Sequence, residues 1–298
     1  MLKTNEIRIR DPFIVAYENT YYMYGTHEKM QNDKNLYVFK STDLENWEDA
    51  KTIFTLAHDS WAIGELWAPE VHLYEGRFYL FISILGKHGL RGTQICVCDT
   101  PDGTFLPISD RPATPFEKSC IDGTLHVENG RPYIVYSADW PDNFDSTLGV
   151  YVGEIKALEL TKDLKNAVGE PFLIFRSTDA PCSKNRPAIH DYMGKQVTRY
   201  GSDGPFIRKL KNGSLMLTWS PIPDLNYIVA YAISKSGSIK GPWTHGDSPI
   251  FDKNGGHAMI FDDFDKNTLM CIHFPERYPD ERAFFLKLDE SGNSVSVK

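Results

Sequence analysis

Five times along the 298 residues, a short polar segment opens an aromatic and β-branched run that turns back on itself into a second such run. Phe13-Ile14-Val15-Ala16-Tyr17 turns at Glu18-Asn19 into Thr20-Tyr21-Tyr22-Met23-Tyr24-Gly25. Residues 71–74 turn at Glu75-Gly76 into 77–83, 124–127 at Glu128-Asn129-Gly130 into 131–137, and 206–210 at Lys211-Asn212-Gly213 into 214–220. A fifth copy opens at His257, turns between Asp262 and Asn267, and resumes at Thr268. Each pair reads as a β-hairpin. One hairpin cannot bury its own faces, so recurrence at a period near 40–50 residues points to blades stacked around an axis. The copies start near residues 11, 70, 122, 203 and 257, at intervals of 59, 52, 81 and 54 residues. This spacing suits four-stranded blades with an insertion in the third. The expectation is an all-β, five-bladed β-propeller of four-stranded antiparallel blades, one domain over residues 1–298. Residues 36–47 and 228–243 share a strand pattern closed by a tryptophan, and Trp47 and Trp243 are read as packing residues.

The segments that open the copies carry acids beside Pro or Gly: Arg10-Asp11-Pro12, Trp67-Ala68-Pro69-Glu70, Ile121-Asp122-Gly123 and Ser202-Asp203-Gly204-Pro205. Singly, each is an ordinary turn signal. In a propeller, however, the first strand of every blade lines the central channel, so these positions converge. Asp11, Asp122 and Asp203, read as equivalent innermost positions, would repel one another across a narrow pocket, a cost better explained by use than by architecture.

A net charge of −8 argues against nucleic acid or an anionic membrane as the main partner, since either demands a basic stripe. A neutral substrate fits better. No apolar run approaches the roughly 20 residues of a membrane span. Residues 1–6 lack a signal-peptide core, so the chain reads as cytoplasmic, or as periplasmic or secreted if a leader has been removed. Cys96, Cys98, Cys120, Cys182 and Cys271 are odd in number and lack CxxC spacing, and are read as reduced structural thiols. No His/Asp/Glu cluster has a catalytic metal spacing. Nothing in the sequence indicates the oligomeric state.

The four acid-bearing motifs, in this order and at blade intervals, resemble glycoside hydrolase family 43. Such a resemblance implies an inverting glycosidase acting on α-L-arabinofuranosyl or β-D-xylosyl linkages of plant cell-wall polysaccharides and oligosaccharides. Carried over by motif, Asp11 matches the general base, Asp122 the carboxylate that raises and orients the acid, and Asp203 the general acid. Inversion requires base and acid about 6.5–9.5 Å apart, and an acid that stays protonated near neutrality. The family usually has Glu before Gly-Pro where this chain has Asp203, one methylene shorter, and a shortfall of roughly 1 Å can cost on the order of a hundredfold. The surrounding motif favours a compensating backbone, with Glu70 as substitute acid the lesser reading.

The same resemblance makes Glu70 a central structural or substrate-contacting carboxylate and Arg282 a pocket arginine. It places His257 beside a hydrated central cation, often calcium in that family, with no cofactor required for the chemistry. Trp67 and Trp140 are the candidate sugar platforms, since the C–H faces of a pentose pack on rings. His27 either borders the pocket or belongs to a loop. The partner expected is a neutral oligosaccharide or polysaccharide. The alternatives are a retaining β-fructosidase-like propeller and a non-catalytic carbohydrate-binding propeller.

Overall fold

The computed structural model describes residues 1–27, 34–223, 226–291 and 294–297. Its strands form five antiparallel blades and one smaller sheet. Blade 1 runs outward from Arg10–Tyr17 through Thr20–Thr26 and Asn35–Ser41 to an outer edge split between Asn46–Trp47 and Lys51–Thr55, with Leu2–Lys3 added beside Asn46–Trp47. The blade 2 strands are Ala62–Tyr74, Arg77–Gly86, Arg91–Cys98 and Leu106–Pro107, and those of blade 3 are Cys120–Glu128, Arg131–Ala138, Glu154–Leu160 and Ala167–Arg176. Blade 4 consists of Ser202–Lys209, Leu215–Pro221, Ala230–Ser234 and Trp243–His245, and blade 5 of Gly256–Asp262, Thr268–Phe274, Arg282–Ser291 and Ser294–Val297. The innermost strands touch in cyclic order, and the fifth contacts the first, so the ring closes as a five-bladed propeller.

Local chemistry explains the blades. The first three inner hairpins close through two-residue loops in which both residues have positive φ: Glu18 and Asn19, Glu75 and Gly76, Asn129 and Gly130. That is the turn whose twist matches paired strands. Along the strands, apolar side chains face both ways and pack blade against blade. Phe13, Met23, Val38 and Trp47 of blade 1 join Leu80 and Ile82 of blade 2 and Met259 and Cys271 of blade 5 in one cluster. Trp47 is fully buried and donates its indole N–H to Thr4 Oγ1 at 2.9 Å, whereas Trp243 is half-buried and donates to the Ile239 carbonyl at 2.9 Å. Both therefore pack. The five thiols are free, and Cys98 alone is not fully buried.

The long third interval holds more than a loop. Phe144–Asp145, Val150–Val152, Ala188–Tyr192 and Lys195–Tyr200 form a separate four-stranded sheet, with Val150–Val152 running parallel to Lys195–Tyr200. Trp140 anchors it: its ring meets those of His190, Tyr192 and Tyr151 edge-on, 5.2–5.9 Å away.

Candidate active site

Every innermost strand carries the same irregularity, in which strand pairing skips two residues: after Arg10, Trp67, Ile121, Asp203 and Gly256. The first skipped residue is left-handed each time: Asp11 (φ 52°), Ala68 (45°), Asp122 (56°), Gly204 (50°) and His257 (55°). Left-handed backbone costs an L-residue about 1–2 kcal/mol, and Asp tolerates it better than most. At three of the five positions the bulge aims a functional side chain, Asp11, Asp122 or His257, into the space about the axis, as bulges do.

This register corrects one expectation. Asp11 and Asp122 are equivalent, but Asp203 is not: it precedes the bulge and shares its position with Arg10, Trp67, Ile121 and Gly256. Blade 4 places Gly204 at the bulge because the His257 ring lies against it. A Cβ there would meet His257 Cδ2, Cγ and Nε2 at 2.7–2.9 Å.

The bulge N–H groups are satisfied around the ring by side chains of the preceding blade. Ala68 donates to Thr26 Oγ1 at 2.9 Å, Asp122 to Ser83 Oγ at 2.7 Å, His257 to Ser220 Oγ at 2.8 Å and Asp11 to His273 Nδ1 at 3.2 Å. Between blades 3 and 4 the pattern changes. Ser137 donates to the Ser202 carbonyl at 2.6 Å, and the Gly204 N–H goes to Asp122 Oδ2 at 3.0 Å. One candidate carboxylate thus holds the backbone next to another.

Together the bulges enclose a cavity of about 300 Å³, to which Asp11, Asp122, Asp203, Trp67 and His257 all contribute. Arg8, Arg10, Thr26, Ile121, Tyr278 and Glu281, none singled out from sequence, complete its lining. The Trp67 ring lies against the Arg91 guanidinium, itself paired with Glu65. Three expected members lie elsewhere. Glu70, two residues beyond the bulge, is buried with its Oε2 2.9 Å from His72 Nε2. Trp140 is committed to the inserted sheet. Arg282 donates Nε to the Asn5 carbonyl at 2.8 Å and Nη1 to the carbonyls of Pro279 and Glu281, tying the last blade to the chain start. His27 packs against Phe39 and Tyr37, and burial pushes its pKa down to about 4.

The carboxyls around the cavity have different environments. Burial alone would raise Asp11, but the charges of His257 and then Arg10 outweigh it and hold the group well below the usual carboxylate range. Asp11 Oδ1 lies 3.1 Å from His257 Nδ1 and 3.4 Å from Arg10 Nε, and Oδ2 accepts the Thr26 hydroxyl at 3.1 Å. Burial and the Asp11 charge push Asp122 up to about 8, against the opposing Gly204 N–H. Burial and then the Asp122 charge push Asp203 up to about 8. Whichever of the two ionises first raises the other. Near neutrality the cluster carries its charge on Asp11 and its protons on the other two, a separation of roles suited to acid/base work. Asp139, just outside the cavity, is pushed up to about 6 by burial.

Behind these groups, the Asp11 N–H bonded to His273 Nδ1 leaves Nε2–H for Glu276, which also pairs with Arg10. Tyr227 stacks on His273 and reaches Asp203. Among the described residues no three His, Cys, Asp or Glu side chains gather as a metal-holding group; His257 Nδ1 lies 3.1 Å from Asp11 Oδ1.

The sequence profile of the family described as glycosyl hydrolases family 43 matches residues 5–288. The chain is 21% identical over 254 residues to alpha-L-arabinofuranosidase 43 of Humicola insolens, covering 82% of this chain and 48% of that one. It is 20% identical over 289 residues to an extracellular exo-alpha-(1->5)-L-arabinofuranosidase of Streptomyces avermitilis, covering 91% of this chain and 55% of the relative. It spans about half the length of these two relatives. Among solved structures, an endo-arabinase from Bacteroides thetaiotaomicron VPI-5482 superposes with a TM-score of 0.86 at 32% identity, over 98% of both chains.

Proposed function

This chain belongs to glycosyl hydrolase family 43, and from that premise we propose that it hydrolyses α-L-arabinofuranosyl linkages, in short or terminal positions, with inversion at the anomeric carbon. One observation carries the reading: a single cavity holds one carboxyl kept ionised, Asp11, and another kept protonated to about pH 8, Asp203. Asp11 orients a water on one face of the sugar and takes its proton as the water oxygen bonds to C1. Asp203 gives its proton to the departing glycosidic oxygen as the C1–O bond breaks. Asp122 holds the Gly204 N–H and so fixes the peptide beside the acid. Trp67, backed by Arg91, offers the ring surface, and Arg8, Arg10 and Glu281 offer hydrogen bonds to hydroxyls. These roles use carboxyl chemistry, with no step routed through a metal.

The arabinose preference is supported by the names of the relatives, and a β-D-xyloside is the competing substrate. Release of 4-nitrophenol from the α-L-arabinofuranoside is expected to exceed release from the β-D-xyloside by tenfold or more in kcat/KM, a margin of about 1.4 kcal/mol. The reverse order would move the assignment to xylosides. No turnover of either by folded protein would refute it.

A further inference from the structure

Building on that function, we infer that Tyr227 is the positioning residue of the proton donor: its hydroxyl holds Asp203 by Oδ2 and leaves Oδ1 to carry the acidic proton to the leaving group. The Tyr227 hydroxyl donates to Asp203 Oδ2 at 3.1 Å. Its ring is fixed on several sides. It stacks on His273 at 5.3 Å between centroids and 16° between planes, and the Arg10 guanidinium lies 5.7 Å from its centroid. A Cβ at Gly256 would meet Tyr227 Cε1 at 2.6 Å, so the ring fills that space as well. Its backbone N–H donates to Asn254 Oδ1 at 3.1 Å, and its carbonyl accepts from Gly255 at 2.9 Å. The hydroxyl has little freedom to leave Asp203.

Such a hold matters more for Asp than for Glu. A short acid reaches a leaving oxygen only from a narrow range of rotamers, and its proton can sit on either oxygen. A donor fixed on Oδ2 makes that oxygen an acceptor and settles both choices. Burial and the Asp203 charge keep the phenol itself protonated, well above tyrosine's usual range. Asp122, His257, Arg10 and Asp139 also act on Asp203, while Arg10, Glu276 and Asp11 act on Tyr227. Tyr227 donates to the acid and His273 accepts from the backbone of the base, so the stacked pair spans both groups.

Tyr227→Phe keeps the ring and removes the bond. A hydrogen bond donated to a carboxylate favours its ionised form, so the variant is expected to move the alkaline limb of kcat/KM upward by about one pH unit. On arabino-oligosaccharides, whose leaving group needs the proton, kcat/KM should fall on the order of a hundredfold. The fall on the aryl arabinofuranoside should be at least tenfold smaller. Equal losses on both substrates with an unmoved limb would mean that Tyr227 only supports the fold, and unchanged activity on both would overturn the inference. A 13C NMR titration of the Asp203 carboxyl, assigned with Asp203→Asn, reads the same bond without substrate and separates this idea from the choice of sugar. Its pKa should rise in Tyr227→Phe, and an unchanged value would refute the inference even in an active enzyme. If the variant fails to fold, 3-fluorotyrosine at 227, a stronger donor, should shift that titration downward, and no shift would refute the inference.

Discussion

Replacing Asp11 with Asn is expected to lower kcat by about 10²–10⁴-fold on aryl and sugar leaving groups alike. Asn is nearly isosteric and tolerates the left-handed backbone at φ 52°, so the loss reports the missing charge rather than a broken bulge. A carboxylate held so far below its usual range is always ionised but is a weak base. Its larger contribution is to orient the water and offset the positive charge that grows at the anomeric carbon, and neither depends on the leaving group. Stability should change too. The folded pKa of Asp11 is depressed, so its contribution is present above the unfolded value near 3.9 and fades as pH falls through the folded one. The Tm deficit of Asp11→Asn should therefore be widest above about pH 4 and narrow in stronger acid, as read by thermal melts across pH. A variant within threefold of wild type would remove Asp11 from the chemistry.

Asp203→Asn should behave in the opposite way on both counts. Its loss should depend on the leaving group: about 10²–10⁴-fold on arabino-oligosaccharides, but only about tenfold on an aryl glycoside, whose phenolate departs without a proton. Its folded pKa is raised to about 8, so this carboxyl destabilises the native state progressively as pH climbs from the unfolded value near 3.9 toward 8. Asn mimics the protonated form and avoids that penalty. At pH 8 the variant should melt no lower than wild type, and above it if the site can keep the Tyr227 contact. Equal losses on both substrate classes, measured as kcat/KM, would deny Asp203 the role of acid.

The propeller was legible because hairpin signals act locally. Glu75-Gly76 and Asn129-Gly130 specify tight turns wherever they stand, and their repetition at blade intervals leaves few other folds. Asp11 and Asp122 were legible as a pair because the bulge geometry is repeated along with the residues. Asp203 was found but misaligned: matching acid to acid hides a one-residue offset that φ reveals, since Gly204 takes the left-handed position under the His257 ring. Trp140 and Arg282 were misplaced because a long-range contact decides where each side chain goes. One is held by an inserted sheet whose two hairpins, residues 144–152 and 188–200, are separated by the whole of residues 153–187, the other by the carbonyl of Asn5. Tyr227, His273 and Glu276 gave no local signal at all. His273 and Glu276 are three residues apart, but Tyr227 stacks on His273 from the preceding blade, and Asp11 and Arg10 reach them only when the last blade meets the first. Arg10 adjoins Asp11 in the first acid-bearing motif, but its role follows only from the register that sets it level with Trp67.

The central claim is that an ionised Asp11 and a protonated Asp203 act on opposite sides of one bond in a single displacement. The most direct test is 1H NMR of the anomeric protons during the first minutes of hydrolysis of an α-L-arabinofuranoside, before mutarotation. The account predicts β-L-arabinose as the first product, with the α anomer appearing later by equilibration. An α anomer formed first would mean two displacements through a covalent intermediate, and Asp11 could not then be the base proposed here.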